Sequence, residues 1–546
     1  MPTWDSVLDI SVAAQKRFCW HWCAFWTVVI ESTARLLLLF KEAELGVEKE
    51  SIASECELHS TRANLSAEVA HVSNGIVLRP LSPEERARAY AFPKPAEVIE
   101  RQRLPVRYHV EDSPVSDRPR RFLEVFAAVL KHTSYRLALE HYLRVSVRCA
   151  RCTAKCQVYL ATGQPTDIPC YRSSLLLNVY RRHFTLAGLL RARLLGDPGL
   201  RDEHIQEMAD AFYNCTACRR CFFSCPMGVD HGLITHLGRY ILSEIGIAPR
   251  ALVVSTREQL TGPTGNTSAI PLPALLDSLE FLSEEMQEEK GLEIRFPVDQ
   301  EGAEYLFLPA VSDFLMEADT LMGIAAVFRA TGDSWTIGTG YYDGINYGLF
   351  YSDHVMEHVL NKVRREAERL QVKKILIGEC GHASRTAKFF YPTYCGGRQA
   401  IPVMNIIEYT HQVWRQGRLK LHPGLIKEKV TYHDPCNIAR SGWIVDQPRE
   451  LLRAFCENYV EMKPSRRDNI CCGGGGGTVS IDEIRPYRML VGGKLKAEQI
   501  RATGAKYCVA PCANCKKQLR ELMEEYQIDC QIVGLHDLLY KAIRFD

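Results

Sequence analysis

The stretch CTACRRCFFSCP, residues 215–226, carries four cysteines at the spacing C-x2-C-x2-C-x3-C and ends on a proline. At this spacing three neighbouring cysteines, Cys215, Cys218 and Cys221, wrap one cubane 4Fe–4S cluster, while Cys225 turns away towards a second cluster. Neither chance nor a zinc site accounts well for this run. The stretch therefore predicts a small helical domain of the ferredoxin type.

A second, shorter cysteine motif lies upstream, at residues 149–156, with the spacing C-x2-C-x3-C. It is one ligand short, because Ser146 stands where the first cysteine of a complete run would lie. In two-cluster domains the last cysteine of a run ligates the other cluster. One predicted site is therefore complete, with the ligands Cys156, Cys215, Cys218 and Cys221. The other has only the ligands Cys149, Cys152 and Cys225.

The missing ligand leaves several alternatives for the second cluster. Serine is a poor substitute for cysteine, because its hydroxyl is far harder to deprotonate than a thiol, whose pKa is about 8.5. The site can hold a three-iron cluster, can hold a 4Fe–4S cluster completed by Ser146, water or the nearby Cys170, or can have lost its cluster. We expect an occupied but unusual site, and we expect this domain to conduct electrons rather than to bind a substrate.

A second group of cysteines lies in the C-terminal part of the chain, in HDPC (433–436), CCGGGGG (471–477) and PCANC (511–515). Each segment follows a predicted strand or a tight turn, so all should meet at one end of a sheet, where open α/β folds place their ligands. Five thiolates exceed the four that a zinc site or a single cubane takes, which predicts a larger or open iron–sulfur cluster. Its predicted ligands are Cys436, Cys471, Cys472, Cys512 and Cys515.

The glycine run after Cys472 fits such a cluster. Residues without a Cβ let the backbone approach bulky inorganic sulfide and supply N–H donors to it, so Gly473, Gly474 and Gly475 are predicted to bind the cofactor. The rival interpretation, a phosphate loop, requires G-x-x-x-x-G-K-[ST]. Here the run is followed by Thr478 and Val479 without a lysine, which argues against phosphate binding.

Length and composition set broad limits on the remaining chain. The protein has 546 residues, of which 46% are hydrophobic and 24% charged, and a net charge of +2. Such a chain forms several globular domains, and nothing in its charge indicates a nucleic-acid partner. Most of the 21 cysteines stand at short, ligand-like spacings. We therefore expect metal ligands in a reducing compartment rather than a secreted disulfide scaffold.

Residues 1–120 give no confident fold. The segment Phe18–Ile30 is nearly all apolar, but it is shorter than the about 20 residues that a membrane-spanning helix needs. Four interpretations of this segment stay open: an interfacial helix, a segment docked to a membrane subunit, an ordinary buried helix and a mis-assigned start codon. Residues 46–120 are polar and punctuated by prolines, which predicts an extended arm rich in loops.

The pattern beyond residue 120 predicts the fold class α together with α/β. Residues 121–250 are helical in pattern and carry the ferredoxin-like motifs, and residues 251–300 are predicted to be a linker that includes an acidic helix. Residues 301–420 and 421–546 alternate short strands with helices, which favours parallel sheets. The predicted strands include YLFLPA (305–310), KILIGE (374–379), VTYHD (430–434) and YCVAP (507–511). Because ILIGECGHASRTAKFF aligns weakly with CVAPCANCKKQLRELM, we predict two duplicated α/β domains.

The first of these α/β halves lacks most of the cysteine set. Its remnant is Cys380-Gly-His382, so that half cannot bind the same cluster. Cys380 and His382 either face the cluster site of the second half and assist the transfer of protons or sulfur, or only shape the interface between the two halves. His433 either tunes the cluster through a hydrogen bond or is an ordinary buried histidine. The cysteines without a partner at useful spacing are predicted to be core residues: Cys395, Cys456 and Cys530.

The spacing C-x34-CC-x39-C-x2-C, with a glycine run after the cysteine pair, resembles the cysteine-rich CCG domain of heterodisulfide reductases. Behind a two-cluster module, it resembles the HdrD polypeptide of heterodisulfide reductases and, still more, the DsrK subunits of the membrane-bound Dsr complex. The resemblance covers residues 140–546 and does not extend to the first 120 residues. It is carried by SVRCARCTAKC, SLLLNVYRRHFT, CTACRRCFFSCPMGVD, GECGHASR, YHDPCNIAR and CCGGGGG.

The resemblance implies an enzyme, a disulfide or heterodisulfide reductase-like oxidoreductase of dissimilatory sulfur metabolism. It implies a non-cubane 4Fe–4S cluster on the five C-terminal cysteines that reduces a disulfide or trisulfide in two one-electron steps. The implied partners are a small thiol protein of the DsrC type and a haem-b, quinone-interacting membrane subunit of the DsrM type. The implied location is the cytoplasm, at the periphery of the cytoplasmic membrane. A reductase for a small-molecule heterodisulfide and a non-catalytic electron-transfer subunit are the alternatives.

Overall fold

The computed structural model describes residues 71–72, 76–77, 81–89, 117–131, 133–196, 199–291 and 293–545. All described residues belong to one unit of the chain, Arg62–Asp546. The apolar segment Phe18–Ile30 and most of the predicted arm lie outside the described residues. Within the described ranges, no helix is long and apolar enough to cross a membrane.

The strands of the described chain are short. They are β1 (His71–Val72), β2 (Ile76–Val77), β3 (Tyr305–Leu308), β4 (Trp335–Thr336), β5 (Lys374–Ile377), β6 (Val403–Asn405), β7 (Lys420–Leu421), β8 (Ile426–Tyr432), β9 (Cys456–Val460), β10 (Tyr507–Val509), β11 (Gln531–Val533) and β12 (Ile543–Arg544).

Helices make up most of the described chain between β2 and β3, and further helices follow β3. The helices up to that strand are α1 (Pro83–Ala89), α2 (Arg118–Val129), α3 (Thr133–Val145), α4 (Gln157–Thr162), α5 (Pro169–Phe184), α6 (Leu186–Leu195), α7 (Asp202–Tyr213), α8 (Arg220–Phe223), α9 (His231–Glu244), α10 (Arg250–Thr261) and α11 (Leu272–Lys290). Those that follow are α12 (Asp313–Met316), α13 (Ala318–Thr331), α14 (Gly348–Tyr351), α15 (Asp353–Arg369), α16 (Gly381–Phe389), α17 (Tyr391–Tyr394), α18 (Ile406–Arg415), α19 (Gln447–Phe455), α20 (Arg485–Tyr487), α21 (Lys494–Arg501), α22 (Ala513–Glu525) and α23 (Leu535–Ala542).

Two four-stranded parallel sheets form the α/β part of the molecule. One has the order β4-β3-β5-β6 and the other the order β11-β10-β8-β9. The central strands of the first sheet are apolar runs buried on both faces, as in Leu306, Phe307 and Leu308, which is the pattern of covered parallel sheets. In the second sheet β8 is continuously buried only at its carboxyl end, at residues 430–432. Two sheets of equal size and parallel pairing agree with the predicted duplication.

The ferredoxin-like region is helical, as predicted. Its cysteine motifs lie in the connections between long helices, one between α3 and α4 and the other between α7 and α9, where Cys221 is part of the short helix α8. Asp230 directly precedes α9, and its carboxylate accepts hydrogen bonds from the backbone N–H groups of Gly232 and Leu233, the usual arrangement of an N-cap. Apolar side chains of α7 and α9, among them Phe212 and Ile241, are fully buried in the main core. The two motifs are thus held on a rigid helical frame.

Residues 251–300, predicted to be a linker that includes an acidic helix, are mostly helical in the structure, as α10 and α11. The expected acidic helix is present as α11, but one face of it is buried through Leu275, Leu279, Leu282 and Met286. Their spacing of three or four residues gives α11 an apolar stripe, which packs on the core. The sequence TGPTGNTSAIPLP suggested a linker because glycine and proline end helices, yet the segment that it belongs to is an integral part of the described unit.

Candidate functional site

A small pocket lies among the C-terminal cysteines. Four cysteines line it: Cys436, Cys472, Cys512 and Cys515. All four are less than 10% exposed. Cys436 follows β8 and Cys512 follows β10, neighbouring parallel strands of one sheet, so the pocket lies at the carboxyl ends of the strands, where open α/β folds bind their ligands.

Helix starts position two of these side chains. Cys512 is the N-cap of α22, and Cys515 lies in the first turn of the same helix. The partial positive charge of a helix N-terminus favours the thiolate form of cysteine. Cys436 directly precedes a π-helical turn, Asn437–Ser441, an irregularity that is frequent at functional sites.

Cys471, the fifth predicted ligand, does not line the pocket but contacts cysteines that do. It is 1% exposed, and its sulfur interacts with those of Cys436, Cys472 and Cys218. Cys472 in turn interacts with Cys515. Hydrogen bonds from Cys471 and Cys515 lower the pKa of Cys472 well below its ordinary value. The structure therefore brings the five predicted sulfur atoms together and joins them to a cysteine of the ferredoxin-like domain.

The donor set fits an iron–sulfur cluster. Thiolates are the ligands that iron–sulfur clusters use, and the five cysteines are buried in one place around a pocket that also has Gly474 and Gly475 in its wall. His433 adds a nitrogen: one of its ring atoms and the sulfur atoms of Cys472 and Cys515 all lie within 4.8 Å of one another. Burial lowers the pKa of His433, which keeps the imidazole neutral.

The glycine run has a role that the sequence did not predict. A Cβ on Gly475 would lie 2.3 Å from the carbonyl oxygen of Thr216, and one on Gly476 would lie 2.7 Å from that of Cys215. These glycines therefore let the cysteine loop of the ferredoxin-like domain dock directly onto the C-terminal site. Gly473 is not in the pocket wall, but its N–H donates to the Cys471 sulfur at 3.5 Å.

Buried polar side chains form hydrogen bonds that connect the cysteine motifs of the ferredoxin-like domain with those of the C-terminal site. Sequence reasoning did not identify these side chains. Arg239, 1% exposed, donates to the carbonyl oxygens of Cys215 and Gly476. Gln157 accepts from the Cys471 N–H at 3.1 Å, and Arg440 donates to the Cys218 carbonyl at 2.8 Å. Gln157 directly follows a motif cysteine, which is a weak hint in the sequence. The two arginines are not part of the cysteine motifs themselves, so the cysteine spacings could not identify them.

The ferredoxin-like cysteines fall into two groups. Cys156 interacts with Cys215 and Cys218, and Cys221 with all three. A separate small pocket is lined by Cys149, Cys152 and Cys225. The grouping has the crossed arrangement that the sequence predicts, and the roles of these cysteines as ligands stay predictions.

The remnant in the first α/β half lies against the C-terminal site. Cys380 is the N-cap of α16, the position that Cys512 has on α22, and the N–H of Gly381 donates to the Cys512 sulfur at 3.4 Å. His382 is in the pocket wall, and its Nδ1 lies 3.3 Å from the Cys380 sulfur. Burial lowers the pKa of His382 to about 3. Cys380 itself is fully buried and is not in the wall.

The cysteines predicted to be core residues are buried. Cys395, Cys456 and Cys530 are 6%, 6% and 7% exposed. Cys530 packs in the same apolar cluster as the site cysteines, together with Cys508 on β10, but neither lines the pocket.

Comparison with known families agrees with this arrangement. Residues 430–520 match the family described as cysteine-rich domain (CCG), and residues 147–229 match the 4Fe-4S dicluster domain. The second match covers both groups of ferredoxin-like cysteines, and the first covers the five cysteines of the C-terminal site. The chain thus carries iron–sulfur clusters.

Several curated proteins are similar over most of this chain. One is the Hdr-like menaquinol oxidoreductase iron-sulfur subunit 2 of Archaeoglobus fulgidus, 27% identical over 78% of this chain and 84% of its own length. Another is HdrD of the dihydromethanophenazine:CoB–CoM heterodisulfide reductase of Methanosarcina barkeri, 24% identical over 73% of this chain and 94% of its own length. No solved structure matches. With a dicluster domain followed by a CCG domain, the chain is similar over most of its length to HdrD and to Hdr-like iron–sulfur oxidoreductase subunits.

Proposed function

We propose that the protein reduces, or in the reverse direction forms, a sulfur–sulfur bond at the pocket of the five C-terminal cysteines. Electrons reach it through the ferredoxin-like domain. The observation that carries this proposal is the contact between Cys218 and Cys471, which joins the sulfur ligands predicted for a cubane to those of the C-terminal site. A non-cubane 4Fe–4S cluster, bound by the five cysteines, supplies two successive one-electron reductions.

The residues around the pocket have the chemistry for this reaction. Phe350, Gly381 and Pro435 form an apolar part of its wall, which excludes water and favours a neutral S–S group. Splitting an S–S bond into two thiols consumes two protons. His382 can relay one of them, with the Cys380 sulfur beside its Nδ1, while Gly381 N–H keeps Cys512 oriented.

For the substrate we propose the trisulfide form of a small thiol protein of the DsrC type, in dissimilatory sulfur metabolism. The resemblance to DsrK subunits supports this choice, as does the presence of one complete cysteine set rather than two. The Methanosarcina relative is named for a small-molecule heterodisulfide, CoB–CoM, so a small heterodisulfide is the competing substrate. We also propose one cubane on Cys156, Cys215, Cys218 and Cys221.

Electron paramagnetic resonance on the oxidised protein tests this function. With a thiol product labelled with 33S, the paramagnetic signal of the C-terminal cluster is expected to broaden, because the substrate sulfur lies at the cluster. A signal that does not respond to any thiol would indicate a site that only transfers electrons. Turnover with a protein trisulfide, compared with turnover of a small heterodisulfide, identifies the substrate class.

We propose further that the chain works in the cytoplasm, attached to the membrane beside a haem-b, quinone-interacting subunit of the DsrM type. The name of the Archaeoglobus relative, a menaquinol oxidoreductase subunit, supports a quinol as the electron source. Helix α6 supports the attachment: Leu186, Leu190 and Leu194 are 81%, 62% and 72% exposed. Its charged residues, Arg191 and Arg193, are both basic, which suits the anionic surface of a membrane.

The double variant Leu190→Gln and Leu194→Gln is therefore expected to lower binding to vesicles of mixed anionic and neutral phospholipid several-fold, because it removes apolar area from the proposed contact. Flotation of the purified protein with such vesicles measures this. Leu137→Gln on α3 is the matched control, since Leu137 is also well exposed, at 63%, but does not lie on α6. This variant should leave binding to the vesicles unchanged. Equal binding of the double variant and the wild type would contradict attachment through α6.

A further inference from the structure

The second ferredoxin-like cluster lacks one cysteine in the sequence, and the structure shows two side chains that could replace it. The small pocket around Cys149, Cys152 and Cys225 is also lined by Ser146 and Cys170. These two are the remaining wall residues with a hydroxyl or thiol to offer. The question is which of them is the fourth ligand.

The backbone around Ser146 disfavours it. Ser146 directly follows α3, and its N–H donates to the carbonyl oxygen of Tyr142 at 3.0 Å, so it continues the last helical turn. The C-terminal end of a helix carries a partial negative charge. That charge opposes formation of the alkoxide that a serine ligand would need, in addition to the high intrinsic pKa of the hydroxyl.

The backbone around Cys170 has the opposite effect. Cys170 is the second residue of α5, after Pro169 at the first helical position, where the backbone N–H groups of the first turn have no partner within the helix. Their partial positive charge stabilises a thiolate. The sulfur of Cys170 also interacts with that of Cys152, which places it with the other predicted ligands.

A buried contact fixes this end of α5 at the pocket. The hydroxyl of Ser173, near the start of α5, forms a hydrogen bond with Nδ1 of His231 at 2.8 Å. His231 lies in the pocket wall and is the first residue of α9. Ser173 and His231 are 2% and 4% exposed, so the helix start that carries Cys170 cannot move away easily.

We propose that Cys170 is the fourth ligand of the second cluster, together with Cys149, Cys152 and Cys225. The ferredoxin-like domain then holds two 4Fe–4S cubanes although Ser146 stands at the usual position of the first cysteine. The ligand comes from a helix start that follows the motif in sequence, outside the C-x2-C-x3-C run. This inference depends on the iron–sulfur assignment of the domain and not on the reaction at the C-terminal site.

The test compares Cys170→Ala with Ser146→Ala in the full chain, purified without oxygen and reconstituted with iron and sulfide. Cys170→Ala is expected to lose one iron atom or one whole cluster per chain. It should give a three-iron signal in electron paramagnetic resonance of the oxidised protein, or lose one cubane signal after reduction. Ser146→Ala is expected to keep the iron content and the spectrum of the wild type.

A rescue variant makes the test independent of folding. Adding Ser146→Cys to Cys170→Ala restores a cysteine at the usual position of the motif, and the lost iron and the second cubane signal should return. The proposal is overturned if Cys170→Ala keeps two intact cubanes, or if Ser146→Ala is the variant that loses iron. The signals of the C-terminal cluster serve as an internal reference, because neither substitution touches that site. A failure here would therefore leave the proposed reaction standing.

Discussion

The variant Cys512→Ala is expected to lose its sulfur–sulfur reductase activity by more than about 100-fold while the ferredoxin-like clusters persist. Changes to residues that only support metal ligands already cost roughly 10–100-fold, so the loss of a ligand should cost more. Cys512 is the clearest choice among the five, because it lines the pocket and caps α22. Cys471 also interacts with Cys218, and its replacement would disturb the electron path as well.

The measurement combines turnover, with a reduced electron donor and a disulfide or trisulfide substrate, and spectroscopy of the clusters. Cys530→Ala is the matched control: Cys530 is 7% exposed and packs in the same apolar cluster as Cys512, but it does not line the pocket. It should leave turnover close to that of the wild type. Wild-type activity in Cys512→Ala would contradict the assignment of this pocket as the site of reaction.

Much of this site could be predicted from the sequence, because its information is local. The spacings C-x2-C-x2-C and C-x2-C are set by the turn of a single loop, so they identify ligands without any knowledge of the fold. Apolar runs such as YLFLPA identify buried parallel strands for the same reason. The strand ends then place Cys436 and Cys512 together, since neighbouring parallel strands end at one edge.

The part of the site that could not be predicted from the sequence depends on contacts between residues far apart in the chain. Arg239 and Gly476 are separated by more than two hundred residues, yet one donates to the other. The sequence around either residue does not predict that contact. The cysteine pair that precedes the glycine run predicts that these glycines bind the cluster. Their contact with the carbonyl oxygen of Thr216 depends on how the two domains pack together, which the sequence does not show.

That docking leads to the second large effect, which is expected for Gly475→Ala. The backbone of Gly475 has no positive φ, so alanine can adopt it, but the new Cβ would lie 2.3 Å from the Thr216 carbonyl oxygen. That oxygen belongs to a backbone that Arg239 and Arg440 hold through the carbonyl groups on either side of it. The glycine run or the loop at residues 215–218 must therefore shift. Overpacking of this kind lowers the free energy of unfolding by about 1–3 kcal/mol.

The shift should separate the loop of Cys218 from Cys471 and slow electron transfer from the ferredoxin-like domain to the C-terminal cluster. Rapid-freeze electron paramagnetic resonance after photochemical reduction follows that transfer, and thermal unfolding follows stability. Gly493→Ala is the matched control, since its Cβ would meet the Leu522 side chain at 2.7 Å, away from the ferredoxin-like loop. Both variants should unfold at lower temperature, but only Gly475→Ala should transfer electrons several-fold more slowly. Equal transfer rates in the two variants would show that the glycine run serves stability alone, and the electron path would then not pass through the contact of Cys218 with Cys471.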